Sequence, residues 1–231
     1  MATILEIVKR SFADRRERAR IAEAHAHPLD IDLPLRLHID GKIDLHPLVP
    51  EGMQARFPSG THIVQAFARS TVLGNPCIRA LLHAEQGDAV SYLWIIQDAE
   101  GALVRWFVPL DVVYPQDDDG WNFWISEKDG SIGYPAFQSG EGVVYDRLWQ
   151  PGESQILPVS FTETFFPDRF DLSKQFSVKH DSMLYGRRVE DPICPRDELV
   201  LLSSVEEPDG NYVSIDIGID LDPTVDMKVV Y

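Results

Sequence analysis

Apolar residues follow two rhythms along this chain. Over residues 3–24, Ile4, Val8 and Phe12 recur at helical spacing beside Leu5, Ala19 and Ala22, and no proline intervenes before Pro28. This predicts an N-terminal amphipathic helix. Its second half carries Arg15, Arg16, Arg18 and Arg20, so the helix is basic. From about residue 34 the rhythm becomes period two. In "LRLHIDGKIDL" (Leu35–Leu45) a two-residue Asp40-Gly41 turn would set Leu37 opposite Asp44. A three-residue loop, Ile39-Asp40-Gly41 with Gly41 left-handed, instead pairs Leu37 with Ile43 and Leu35 with Leu45, so the spacing predicts a bulged hairpin.

Further ribbons follow. "THIVQAFARSTV" and "CIRALLHAE" flank Gly74-Asn75-Pro76, "YLWIIQ" and "LVRWFVPLDVVY" flank Asp98–Gly101, and "ELVLLSSV" and "YVSIDIGIDL" flank Pro208-Asp209-Gly210. Many short strands with regular turn signals predict a mainly β fold, an antiparallel sandwich or open barrel with the N-terminal α-helix attached. The β domain is expected over 29–231, with an alternative division into two β subdomains near 114–120, where "YPQDDDG" stands. "FTETFFPDRFDLSKQF" (Phe161–Phe176) has no clean period and reads as a packed loop with one helical turn before Pro167.

The stretch "WNFWISEKDGSIGYP" (Trp121–Pro135) raises three readings. As a calcium loop it fails: with Gly130 at position 6, Ile125 falls at position 1 and Ala136 at position 12, where oxygen ligands are needed. As a turn it needs only Asp129-Gly130 between two strands, with Trp121 and Phe123 on one face and Trp124 on the other. As a ligand platform it would offer Trp121 and Trp124, joined by Trp149, as stacking faces for a carbohydrate-like ligand.

"GWNFWISEKDGSIGYPAF", the later "YDRLWQPG" and "MLYGR" near residue 183 resemble the central signature of the YjfK-like family of uncharacterised bacterial proteins. The resemblance implies a bacterial protein without an established activity or catalytic residues, and a link to envelope stress. It carries no functional residue over to this chain.

Charge and composition narrow the function classes. The 231 residues carry a net charge of -16, so nucleic acid would be repelled by most of the surface. Residues 190–231 alone hold eleven acids and two bases, read as a solvated strand face. No apolar run reaches the roughly 20 residues that span a bilayer, and the N-terminus has its bases after its apolar residues, unlike a secretory leader. A cytoplasmic protein is expected, with Cys77 and Cys194 as reduced thiols.

Candidate chemistry is sparse. "HAHPLDID" offers His25, His27, Asp30 and Asp32 as metal ligands, but at a helix end residues two apart diverge, and a polar helix terminus explains them more simply. "KHDS" (Lys179–Ser182) puts His, Asp and Ser in succession, whereas a triad is assembled in space, and no G-x-S-x-G elbow or phosphate loop occurs. No cofactor is implied. The pattern favours a non-catalytic protein that binds a partner or itself. The alternatives are a carbohydrate-directed hydrolase or binding module, and a peripheral membrane protein held by the basic helix.

Overall fold

The computed structural model describes residues 35, 37–97, 101–167, 172–208 and 210–230. The expected helix over 3–24 lies outside them. The strands are β1 (Lys42–Leu45), β2 (Gly60–Val72), β3 (Asn75–Ala84), β4 (Val90–Gln97), β5 (Ala102–Val113), β6 (Ala136–Gln138), β7 (Val144–Arg147), β8 (Val159–Phe166), β9 (Phe176–Val189), β10 (Arg196–Glu207), β11 (Gly210–Leu221) and β12 (Met227–Val230). One α-helix, α1 (Asp118–Ile125), joins them among the described residues. No described helix is long and apolar enough to cross a membrane.

The fold is mainly β, but it is neither a sandwich nor an open barrel. β2, β3, β4, β5, β11, β10, β9 and β8 pair in that order, all antiparallel, and β8 returns to β2 through Phe67↔Phe166, Ala68↔Phe165 and Arg69↔Thr164. The result is a closed eight-stranded barrel. β1 and β12 extend the sheet beyond β2, and β7 and β6 extend it beyond β9. The expected ribbons β2/β3, β4/β5 and β10/β11 are present as hairpins. The first turns at Leu73-Gly74, both with positive φ, which suits the twist of a tight hairpin.

Three local expectations are corrected. β1 does not pair with Leu35, Leu37 or His38; it runs between β12 and β2, and Asp40, not Gly41, takes the left-handed conformation. Leu37, Ile39, Ile43 and Leu45 are all buried nonetheless. "DDGWNFWI" is helix, not strand. Asp117 caps it by accepting from the Gly120 N–H at 2.8 Å, and Asp118 and Asp119 sit in the first turn, where the helix dipole favours acids. Phe161–Phe166 is strand: it supplies most of β8, which closes the barrel. Its alternation was obscured because an inward position holds Glu163, flanked inward by Phe161 and outward by Thr162 and Thr164.

Register fixes which side chains point inward. Arg79, Trp94 and Arg105 align across β3, β4 and β5, and Leu81, Tyr92, Phe107 and Gly218 align one step away. Contacts between strands that are not neighbours confirm this face as the interior: Trp94 meets Phe161 at 6.2 Å between ring centroids, with two strands between them. The opposite face of β2–β5 packs beneath residues 37–57, where Phe57 meets Trp106 edge to face at 5.4 Å. Burying such a ring contributes roughly 1.5–3 kcal/mol. The outer face of β9 and β10 packs beneath residues 121–156, and the Tyr185 hydroxyl accepts from the Gly133 N–H at 2.9 Å.

Gly218 is required by this interior. A Cβ there would stand 2.5 Å from the Phe107 ring, so the strand yields its side chain to the aromatic opposite. Gly218→Ala is expected to cost about 1–3 kcal/mol through overpacking, measured as a lower urea midpoint with an unchanged slope.

Candidate functional site

The inward positions bring together a polar cluster that no short motif announces. Arg79 comes from β3, Tyr92 from β4, Glu163 from β8, His180 and Ser182 from β9, Ser203 from β10, and Asp216 from β11. Arg79 Nε lies 3.3 Å from Glu163 Oε1, and His180 Nε2 lies 3.3 Å from Glu163 Oε2. Neither contact is aligned as a hydrogen bond; the first is an ion pair, and the second sets the imidazole beside the carboxylate. Glu163 is 0% exposed, His180 3% and Asp216 6%. The Arg79 guanidinium lies over the Tyr92 ring at 4.4 Å, a cation–π contact strengthened by desolvation. The Tyr92 hydroxyl donates to Asp216 Oδ2 at 3.0 Å, and Ser182 donates to Ser203 at 2.7 Å.

Electrostatics separates the two acids. Burial pushes Glu163 upward, but Arg79 and His180 together outweigh it and hold the carboxyl below its ordinary value. Burial also dominates at Asp216, where Arg79 and Tyr92 offset it only in part, and its value rises. Arg79 is drawn downward by burial and raised beyond that by Glu163, so it stays charged. Burial raises the Cys77 thiol, with Glu163 adding to the effect, and an un-ionised thiol is a poor nucleophile. The cluster is therefore an ion pair with a histidine at its side and a carboxyl that resists ionisation. His180 stacks on Phe161 at 5.0 Å, and Trp94 packs against Trp149 at 5.6 Å. A substrate atom cannot reach Glu163 or His180 unless the strands part.

The residues singled out in the sequence are dispersed. Trp121 and Trp124 are half-buried on α1, three residues apart, and pack against the buried cluster that includes Tyr185, Leu199 and Trp149. Trp149 is 7% exposed with its ring against Trp94, so it presents no open stacking face. Arg15, Arg16, Arg18, Arg20, His25, His27, Asp30 and Asp32 lie outside the described residues. Among the described residues no three His, Cys, Asp or Glu side chains are grouped to hold a metal ion. In "KHDS", period two turns His180 and Ser182 inward and leaves Lys179 and Asp181 outside, where Lys179 pairs with Glu206 at 3.0 Å. That alternation was the available signal for His180. Nothing in the sequence coupled it to Arg79 or Glu163.

A second buried carboxylate ties the barrel's outside together. Glu198 on β10 receives Arg56 at 3.2 Å, the Tyr145 hydroxyl at 3.0 Å and Arg187 at 2.6 Å. At the barrel end near this network, a cavity of about 270 Å³ is lined by Asp146, Leu148, Arg188, Asp197 and Asp220, among others. Most of its charges are paired: Arg188 with Asp197 at 3.0 Å and Asp220 with Arg105 at 2.9 Å. Both sites brace the fold.

Comparison with known proteins gives a family and no activity. The profile of DUF2491, a protein family of unknown function, matches residues 9–227, and the chain belongs to that family. No curated protein and no solved structure matches the chain.

Two predictions follow from the cluster. Glu163→Gln leaves Arg79 charged and unpaired, at a cost of about 3–5 kcal/mol, whereas the double change Glu163→Leu with Arg79→Met recovers most of the loss; chemical unfolding of the two variants beside the parent checks both. The two acids also act on stability with opposite signs. Because the folded value of Glu163 is depressed, its contribution is complete above the unfolded carboxyl's value and lost as pH falls through the folded one. Because that of Asp216 is raised, its contribution is full below the unfolded value and lost as pH rises. Asp216→Asn should therefore gain stability over the parent at neutral pH and little at pH values near 4, as read from urea midpoints at both.

Proposed function

We propose that this DUF2491 member is a non-catalytic binding module whose outer surface, rather than its interior, meets another protein. The supporting observation is the disposition of its reactive groups. Arg79, Glu163 and His180 converge on one another inside a barrel closed by aromatic rings, and the charged groups around Glu198 outside it are paired among themselves. Large apolar side chains stand outside, with Leu110 52%, Phe123 60% and Leu157 58% exposed. A catalytic centre needs the reverse arrangement, with polar groups open to a substrate.

The finer setting belongs to this proposal. A YjfK-like kinship, a bacterial source and a role near envelope stress rest on the sequence motifs at 120–137, 145–152 and 183–187. A cytoplasmic location is supported by two free cysteines, Cys77 and Cys194, which suit a reducing compartment.

Affinity capture with the tagged full-length chain from its source cell, read together with light scattering, is expected to yield a defined complex. A solitary monomer that captures no protein would overturn the reading.

A further inference from the structure

The barrel closes, yet its strands are staggered, and the stagger leaves one edge open. β4 pairs with β5 from Gln97↔Ala102 to Tyr92↔Phe107. Beyond Phe107, β5 continues to Val113 with β11 as its only paired neighbour among the described residues. The overhang carries Leu110, 52% exposed, Val112, 41% exposed, and after it Tyr114, 62% exposed. An edge strand with apolar side chains is a template for another strand, and native proteins normally blunt it. Here the blunting is slight. Pro109 lacks a backbone donor, a bulge lies opposite Ile215/Asp216, and the Asp111 carboxylate accepts from the Val112 N–H at 2.8 Å. That last contact is local and exposed, and an incoming carbonyl can replace it.

Charge selects the occupant. From Trp106 to Glu127 the chain has Asp111, Asp117, Asp118, Asp119 and Glu127 and no lysine or arginine. A second copy pairing edge to edge about a two-fold axis would bring Asp111 towards its own equivalent, and like charges placed opposite each other in a ladder destabilise it. A basic strand meets no such penalty.

We propose that the β5 overhang, Val108–Val113, is a docking edge for an extended segment of another protein in which lysine or arginine alternates with apolar residues. The segment adds to the sheet beside β5, its backbone completing the ladder, its apolar side chains meeting Leu110 and Val112, and its cations facing the acids. This deepens the binding-module reading and rests on it.

The test uses the full-length chain and a fluorescein-labelled decapeptide of alternating lysine and valine, with anisotropy as the readout. Binding is expected to weaken at least about tenfold, or roughly 1.4 kcal/mol, in Val112→Pro, which removes an edge donor, and in Leu110→Lys, which keeps the backbone intact should the proline disturb folding. Peptides alternating glutamate with valine, or lysine with serine, should bind at least about tenfold more weakly than the first. Equal binding of the lysine–serine peptide, or undiminished binding to Leu110→Lys, overturns the proposal by reducing the effect to general charge attraction. So does a concentration-dependent dimer that Leu110→Lys abolishes, because a second copy would then be the occupant. If Leu110→Lys still captures the parent's cellular partner, the edge is refuted while the binding reading stands; if the parent captures nothing, the binding reading itself fails.

Discussion

The barrel is organised by one electrostatic requirement: a fully desolvated glutamate must meet a cation. Glu163 has no exposed surface, and an isolated carboxylate in such a place would be protonated or expelled. Arg79 satisfies it from two strands away, and His180 lies beside it on the adjacent strand. The pair spans the seam where β8 meets β2. Hydrophobic packing alone would leave the position of β8 to be set by three paired positions with β2 and by its ladder with β9. The buried charges add a lateral constraint, since sliding β8 by one residue would turn Glu163 outward and leave Arg79 alone inside. The net energy of such a pair is small or even unfavourable against apolar replacements; what it contributes here is register.

The same logic divides the interior into layers. Around the ion pair, Trp94, Phe107 and Phe161 fill the volume, and Gly218 gives way to Phe107. Asp216 lies on the far side of Tyr92 and is held by a single hydroxyl donor at 3.0 Å and a longer one from Ser214 at 3.4 Å. Two acids in one sealed space thus have opposite tendencies, because one has a cation at contact and the other has neutral donors. Outside, Glu198 repeats the first solution with two arginines and a tyrosine, tying residue 56 and β7 to the barrel wall.

Much of this was legible in the amino-acid sequence. The alternation of Val213, Ile217 and Ile219 with polar neighbours, and turn residues such as Gly74 and Gly210, mark hairpins because local sterics and amphipathicity decide them, although Asn75 and Pro76, expected in the first turn, belong to β3. What local pattern could not show was anything decided by a distant partner. β8 reads as irregular because Glu163 occupies an inward position whose compensation, Arg79, stands far away in the chain. Trp121 and Trp124 suit either a strand or a helix. Only the cap supplied by Asp117, with Asp118 and Asp119 behind it, selects the helix, and an acidic run before a glycine reads equally well as a loop. The hairpin expected at 35–45 had the right buried residues and the wrong partner, since β12 comes from the far end of the chain.

The seam has a consequence for how the molecule comes into being. Phe67 and Phe166 are roughly a hundred residues apart in the chain, while the β2–β5 meander between them is made of neighbours. During synthesis at about 5–20 residues per second, the meander emerges first and waits several seconds with its arginine still hydrated. Only when the later segment arrives can that side be shut, and water must leave the guanidinium at the same moment. Ring closure is therefore a late, long-loop event of the kind that slows folding, and any chaperone that attends this chain would meet it as an open, half-built sheet.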